Sequence, residues 1–405
     1  QLLSEGYLEA FRGSGTFVCA QLPDELLHTD PIRATPAVER PSVVLSSYGK
    51  RLAETPFDLQ TEPTQPISFR YGRPALKDFP LALWRKLLSR HCRNFEGLDY
   101  ATDFLGVSAL RQAIAQYVSR ARAVRCDPDQ IIITNGTQQA LDLVMRLLME
   151  PGMEMAIEDP GYLSARRIFL SHGVKLLPIP VDAAGLQVDK LANCGSAVSL
   201  VYVTPSHQFP TGATLSLPRR LELLAWAQQN QALILEDDYD SEYRYGDRPI
   251  PALQGLSQID CVIYIGTFSK VLFPALRIGY LILPPHLVRL FAQAKWLSDR
   301  QLPVLEQLVL ADFIREGHLE RHIRKMRSIY DLNRRTLVQA LKEQFGEQVE
   351  ILGEEAGIHV MVRLKTHLSD ATVIKRAASV GVGLMSAQAQ YLDAFYRSEF
   401  IFGYG

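Results

Sequence analysis

"CVIYIGTFSKVLFPALRIGY", residues 261–280, is where the sequence turns from fold to chemistry. Its first seven residues form a continuous apolar run of strand length, which predicts a strand buried on both faces. The run ends in small hydroxyl-bearing residues and delivers Lys270 into a loop, with Arg277 seven residues later. A second apolar run, "RIGYLIL" (277–283), follows. A lone lysine is ordinarily a solvated surface charge. Lys270 acquires meaning from what lies upstream.

Working towards the N-terminus, "ALILED" (232–237) is another buried strand that opens into "LEDDYDSEY", placing Asp237 and Tyr239 at its carboxyl end. Ligands of open α/β sheets gather at that edge. "SLVYVT" (199–204) is a third such run, and "QIIIT" (130–134) a fourth. The last of these meets Asn135-Gly136-Thr137 and passes into the helical "QQALDLVMRLLM", so that a helix N-terminus follows a strand. Backbone N–H groups at such a terminus make a ready anion site. Apolar strands alternating with helical crossovers predict a mostly parallel sheet covered on both faces. Beyond about residue 284 the sequence is helical through "HLVRLFAQAKWL" and "GHLERHIRKMRSIYDLNRRTLVQALKEQF", then ends in an α+β pattern.

The strand exits thus collect an amine, a carboxylate, a phenol, a phosphate cradle and a guanidinium. Pyridoxal phosphate chemistry needs this set: a lysine for the Schiff base, a carboxylate to keep the pyridine nitrogen protonated, and an anchor for the phosphate.

Bulk properties narrow the remaining possibilities. The chain has 405 residues, enough for two or three domains, with 47% hydrophobic and 21% charged residues, ordinary for a globular protein. Its formal net charge of −1 gives no global field for nucleic acid or anionic membranes, so any DNA-binding role must rest on a motif. The five cysteines are scattered without a C-x-x-C pair, which argues against a zinc site or disulfide framework and fits a cytoplasmic setting. No apolar run approaches a membrane span. His318 and His322 stand at i, i+4 but lack the H-E-x-x-H order, and are read as part of an exposed charged helix face. "GDRPIPALQG" (246–255) has turn glycines but no dinucleotide fingerprint.

With these motifs in order, residues 67–405 resemble a fold-type-I aminotransferase domain, a mostly parallel large domain followed by a smaller α+β domain. The resemblance implies that Lys270 is the Schiff-base lysine, that Asp237 pairs with the pyridine nitrogen and that Tyr239 bonds the ring's phenolic oxygen. Gly136, Thr137, Gln138, Thr267 and Arg277 would hold the phosphate of pyridoxal 5'-phosphate. Tyr162, in "EDPGY", would stack on the ring, and Tyr100, in "LDYATDFLGVSALRQAI", would reach the phosphate of the other subunit of a homodimer. The family usually carries an asparagine just before Pro-Thr-Gly. Here "SHQFPTG" has Phe209 in that place, leaving His207 or Gln208 to substitute. Near the C-terminus, where family enzymes hold the substrate carboxylate with an arginine, "SEFIFGYG" has Ile401 and Phe402, with Arg397 the nearest guanidinium.

The N-terminal "QLLSEGYLEAFRGSGTFV" (1–18) reads as a helix end closed by Gly6 and a hairpin, Tyr7–Phe11 and Thr16–Val18, turning at Arg12-Gly13-Ser14-Gly15. It resembles the end of the recognition helix and the wing of a GntR-type winged helix. A winged helix, a proline-bearing linker and an aminotransferase-like domain are the layout of the MocR subfamily of transcription regulators, which "TPSHQFPTG", "HLERHIRKMR" and "AGIHV" also resemble. The expected organisation is a winged-helix remnant at 1–19, a linker and approach at 20–66, a cofactor-binding large domain at 67–300 and a truncated small domain at 301–405. On this reading the chain is a sensor of pyridoxal phosphate or an amino compound, acting through an aldimine at Lys270. DNA would be read by the winged helix of the full-length protein, and specific DNA reading by these 405 residues alone is not expected. The alternative is an aminotransferase acting on an amino acid and a keto acid. A missing carboxylate clamp argues against efficient turnover.

Overall fold

The computed structural model describes residues 1–23, 43–55, 65–93, 103–194, 198–246, 250–392 and 398–405. The chain divides into two compact units, Gln1–Ser46 and Ser47–Gly405.

In the first unit, β1 (Leu8–Phe11) and β2 (Gly15–Val18) form an antiparallel hairpin in which Leu8 faces Val18 and Phe11 faces Gly15. Gly13 and Gly15 take φ of 87° and 98°, the left-handed values the turn requires. Gly6, at φ 80°, closes the preceding turn, where Ser4 and Glu5 N–H donate to the Gln1 carbonyl.

The second unit opens with the helix Ser47–Glu54, inside the stretch read as linker and approach. It packs on the helix Leu163–His172: Arg51 Nε donates to the Ser171 carbonyl at 3.1 Å, and the rings of Tyr48 and His172 lie 5.4 Å apart. Next comes β3 (Ile67–Ser68), followed by the large sheet: β4 (Ile131–Thr134), β5 (Glu154–Asp159), β6 (Lys175–Asp182), β7 (Gly185–Leu186), β8 (Val198–Val203), β9 (Leu233–Asp238), β10 (Val262–Thr267) and β11 (Gly279–Ile282). Its order is β4-β11-β10-β9-β8-β5-β6-β7. The strands from β10 through β6 are parallel, whereas β11 runs against both β10 and β4.

Alternation along each strand explains why the runs are apolar throughout. Ile131 and Ile133 enter a core shared with the helices Ser108–Arg122 and Val304–Arg315, while Ile132 enters a second core with Gly136–Leu148 and Pro285–Asp299. Both faces are therefore dry, as a parallel sheet requires.

A second sheet, in the order β12-β13-β16-β15, joins β12 (Val349–Leu352), β13 (His359–Leu364), β15 (Met385–Ser386) and β16 (Glu399–Gly403). The short β14 (Val382–Gly383) pairs in parallel with β3, and the Gly403 N–H donates to the Phe69 carbonyl at 2.8 Å. Residues 67–69 therefore run beside the C-terminal strands. The long helix His318–Phe345 buries Leu319, His322, Ile323 and Met326 on one side. His322 is consequently not on the exposed face expected for it: its Nε2 is 3.1 Å from the Val271 carbonyl, and burial lowers its pKa. No helix among the described residues is long and apolar enough to cross a membrane.

Candidate functional site

The parallel strands β8, β9 and β10 end at one edge of the large sheet, next to the start of the helix Gly136–Leu148. A cleft opens there, lined by Thr204 after β8, Asp237 on β9, Thr267 on β10 and Thr137 and Gln138 of the helix. Tyr162, Tyr239, Lys270 and Arg277 lie on its wall as well. Strand alternation selects between the two neighbouring aspartates. Asp237 faces the cleft, whereas Asp238 accepts from Arg122 Nε and the Tyr264 hydroxyl, each at 2.7 Å, on the other side of the sheet.

Lys270 projects from the loop after β10 and its Nζ donates to the Gly72 carbonyl at 3.0 Å. The contact requires glycine: a Cβ on Gly72, whose φ is 74°, would lie 2.5 Å from that nitrogen. Burial lowers the Lys270 pKa against the opposing pull of Asp240 and Asp237. A larger neutral fraction makes a better nucleophile of the amine.

Asp237 is buried, and its Oδ2 accepts from the Tyr202 hydroxyl at 2.8 Å. Its Oδ1 is buried without a hydrogen-bond partner. Desolvation pushes its pKa up to about 7, resisted by the Tyr202 bond and reinforced by Asp238. A carboxylate so placed gains from any proton-bearing nitrogen brought to Oδ1.

At the other end of the cleft Arg277, at φ 53°, donates from Nη2 to the Asn135 carbonyl at 3.0 Å. Gly136 is at φ 70°, and a Cβ there would meet the same Nη2 at 2.6 Å. Guanidinium and helix N-terminus thus converge on one anion-binding corner. Thr267 Oγ1 accepts from the Ser269 N–H at 3.2 Å, and the buried Ser269 Oγ has no partner.

His207 and Gln208 have separate fates. The Gln208 amide is saturated: Nε2 donates to the Pro160 carbonyl at 2.7 Å, and Oε1 accepts from Thr211 Oγ1 at 2.6 Å. His207 sits one layer behind the cleft, its Nδ1 3.0 Å from both Asp240 oxygens and 3.1 Å from the Tyr239 hydroxyl. That hydroxyl donates to the His207 carbonyl at 2.9 Å. Gly357 makes room for the imidazole, since a Cβ there would lie 1.9 Å from its Cε1. Tyr162 packs edge-on against Phe209, ring centroids 5.6 Å apart. Tyr100 and Arg397 lie outside the described residues.

Ile401, on β16, is fully buried in an apolar cluster with Phe209, Met361 and Ala387, against which Tyr71, Tyr162 and Tyr239 pack. Reading the sequence alone missed Gly72, Tyr202, Asp240 and His359 as members or neighbours of the cleft. Only "AGIHV" hinted at His359. The others are defined by contacts across the sheet and carry no local signal.

The chain as a whole is similar to known proteins. The model of the family "Aminotransferase class I and II" matches residues 75–395. The chain is 38% identical over its whole length to the probable rhizopine catabolism regulatory protein MocR of Rhizobium meliloti, covering 80% of that protein. It is 30% identical, again over its whole length, to the pyridoxine biosynthesis transcriptional regulator PdxR of Corynebacterium glutamicum, covering 82%. Among solved structures, the kynurenine aminotransferase of Pyrococcus horikoshii superposes with a TM-score of 0.79 at 29% identity, covering 89% of this chain and 90% of that one. The α-aminoadipate aminotransferase LysN of Thermus thermophilus, solved with N-(5'-phosphopyridoxyl)-L-leucine, gives 0.77 at 27% identity, covering 89% and 90%.

Proposed function

Because this chain belongs to the MocR-type, GntR-family regulators with an aminotransferase class I and II domain, we propose that its cleft is the effector site, with Lys270 as the residue that engages the cofactor. The fold is fold-type I and the cofactor is pyridoxal 5'-phosphate. One observation carries the assignment of residues: a part-buried amine, Lys270, and a buried carboxylate with a free oxygen, Asp237, face the same cleft.

When bound, pyridoxal phosphate supplies an electrophilic carbon and an electron-withdrawing ring. On this reading Asp237 Oδ1 holds a proton on the ring nitrogen. Arg277, Thr267 and the backbone and side chains of Gly136, Thr137 and Gln138 anchor the phosphate. Tyr239 addresses the phenolic oxygen, with His207 setting the direction of its hydroxyl from behind. Tyr162 covers the ring. Tyr100 serves the site of a second subunit, and the functional unit is a homodimer. Residues 1–19 form the end of a winged helix through which the full-length regulator binds DNA in the cytoplasm, and an amino compound or the cofactor itself is the effector.

Titration with pyridoxal phosphate, followed by borohydride reduction and peptide mapping, tests the assignment. The expected result is a visible absorbance band and a single label on Lys270. A label on another lysine would overturn it.

A further inference from the structure

We propose that the ligand admitted to this cleft is a primary amine with a neutral body and no carboxylate beside its amino group, an inference that rests on the cofactor reading above. The distribution of charge on the cleft wall carries it. Among the described residues, the charged side chains lining the cleft are Asp237, Asp240, Lys270 and Arg277. Arg277 is turned to Asn135 and Gly136 at the phosphate corner, and Lys270 is the reacting amine itself. Neither is left to hold a ligand's carboxylate.

The apolar part of the cleft's lining is built for something else. Phe209 and Tyr71 line it, and behind them Ile401, Met361 and Ala387 complete an apolar cluster. A carboxylate pressed on this surface loses its water and gains no cationic partner among the described residues, which is among the costlier things a binding site does. It would also meet the field of Asp240, whose charge favours the cationic form of an amine at Lys270. The same field attracts an incoming ammonium group. The uncharged polar groups beside the apolar lining, the Tyr71 phenol and the His359 imidazole, suit a neutral body. His359 is fully buried and its pKa is held well below the ordinary value by that burial and by His207 and Lys270, so it adds no cation near pH 7.

Matched pairs differing by the carboxylate alone test the proposal: phenethylamine against phenylalanine, and ethanolamine against serine. Each is titrated into the full chain loaded with pyridoxal phosphate, reading the shift of the visible band and, independently, the thermal midpoint. An amino acid's α-amine is less basic than an alkylamine, so more of it is unprotonated near neutral pH. Solution chemistry alone therefore favours the amino acids, and a preference for the amines must come from the site. The expected result is half-saturation by the amine at a concentration at least tenfold lower than by its amino acid in both pairs. An Ile401→Arg variant should narrow or reverse that ratio, and if it does not fold the wild-type pairs decide alone. Equal or tighter binding of the amino acids, or no response to either member, with an intact Lys270 chromophore, would overturn the amine proposal by itself. Absence of the chromophore before any amine is added would instead sink the cofactor reading, and the proposal with it.

Discussion

One wall of the cleft is furnished with charge and hydroxyl groups, Asp237, Lys270, Arg277 and Thr267, whereas another is aromatic and aliphatic, with Phe209 in front and Ile401 behind. The two walls also differ in how they are held. Asp237, Thr267 and Lys270 of the charged one sit at or just past the carboxyl ends of the parallel strands β9 and β10, buried along nearly their whole length. Arg277 stands just before the antiparallel β11, so the groups of this wall are fixed by the sheet. The apolar one is assembled from the small sheet and from loops, by contacts between residues far apart in sequence. What this teaches is that holding a cofactor and anchoring a substrate by its carboxylate are separable tasks. A chain that keeps the first and gives up the second is suited to sensing rather than turnover, because positioning of the substrate accounts for several kcal/mol, up to ~7–11, of a barrier.

The largest effect expected is that of removing the Lys270 amine. Lys270→Ala should abolish the visible band and the borohydride label completely. A variant that kept either would show that the charged wall does not act through this lysine. Next in size is turnover. If the apolar wall lacks a carboxylate clamp, multiple-turnover transamination by the full-length protein should fall far below the ordinary ~1–10³ s⁻¹ for every amino and keto acid tried. Steady turnover within that range for any pair would break the contrast between the walls.

Asp237 offers a graded test. Asp237→Ala should weaken cofactor retention by about 10- to 100-fold, the scale of a lost charge-assisted bond, measured by dialysis against the visible band. Its titration gives a second readout. The folded value is about 7 against an ordinary 3.8, so between those limits the folded protein binds more protons than the unfolded one. Stability must then fall as pH rises through that window, and the contribution is fully present only below it. Glu158, Glu236 and Glu242, also pushed to about 7 by burial, act in the same direction. Thermal midpoints of the cofactor-free protein should therefore decline from about pH 5 to pH 7. Asp237→Asn should flatten that decline in part, and an unchanged slope would mean that Asp237 is ionised without assistance.

Much of the charged wall was legible because it is local: a strand, its exit and a loop carry Lys270 and Arg277 within twenty residues. The strands were legible for the same reason, as apolar runs between turn residues. What could not be read was anything that required pairing distant segments. Tyr202 meets Asp237 because β8 neighbours β9, and Gly72 meets Lys270 across 198 positions. Sequence left His207 and Gln208 equivalent, and only Pro160 and Thr211 occupying the Gln208 amide separates them. His322 was misplaced because the side of its helix that packs inwards depends on Val271 and Phe79, remote in sequence.

The smallest effect belongs to the residue at the seam of the two walls. The Tyr239 hydroxyl donates to the His207 carbonyl at 2.9 Å and lies 3.1 Å from His207 Nδ1, which both Asp240 oxygens approach to 3.0 Å. With Asp240 accepting the Nδ1 proton, the phenol is held by a fixed neighbour, and the proposed role of Tyr239 has it meet the cofactor's phenolic oxygen from that position. Tyr239→Phe keeps the ring, and hence the packing against Phe209, while deleting one neutral hydrogen bond worth about 0.5–1.5 kcal/mol. Cofactor affinity should fall by roughly two- to tenfold, with the visible band retained and its pH midpoint displaced. Titration of the variant across pH measures both. A loss of a hundredfold or more would make Tyr239 part of the charged wall's essential machinery. No change in either affinity or midpoint would place its hydroxyl wholly with His207 and out of the cofactor's reach.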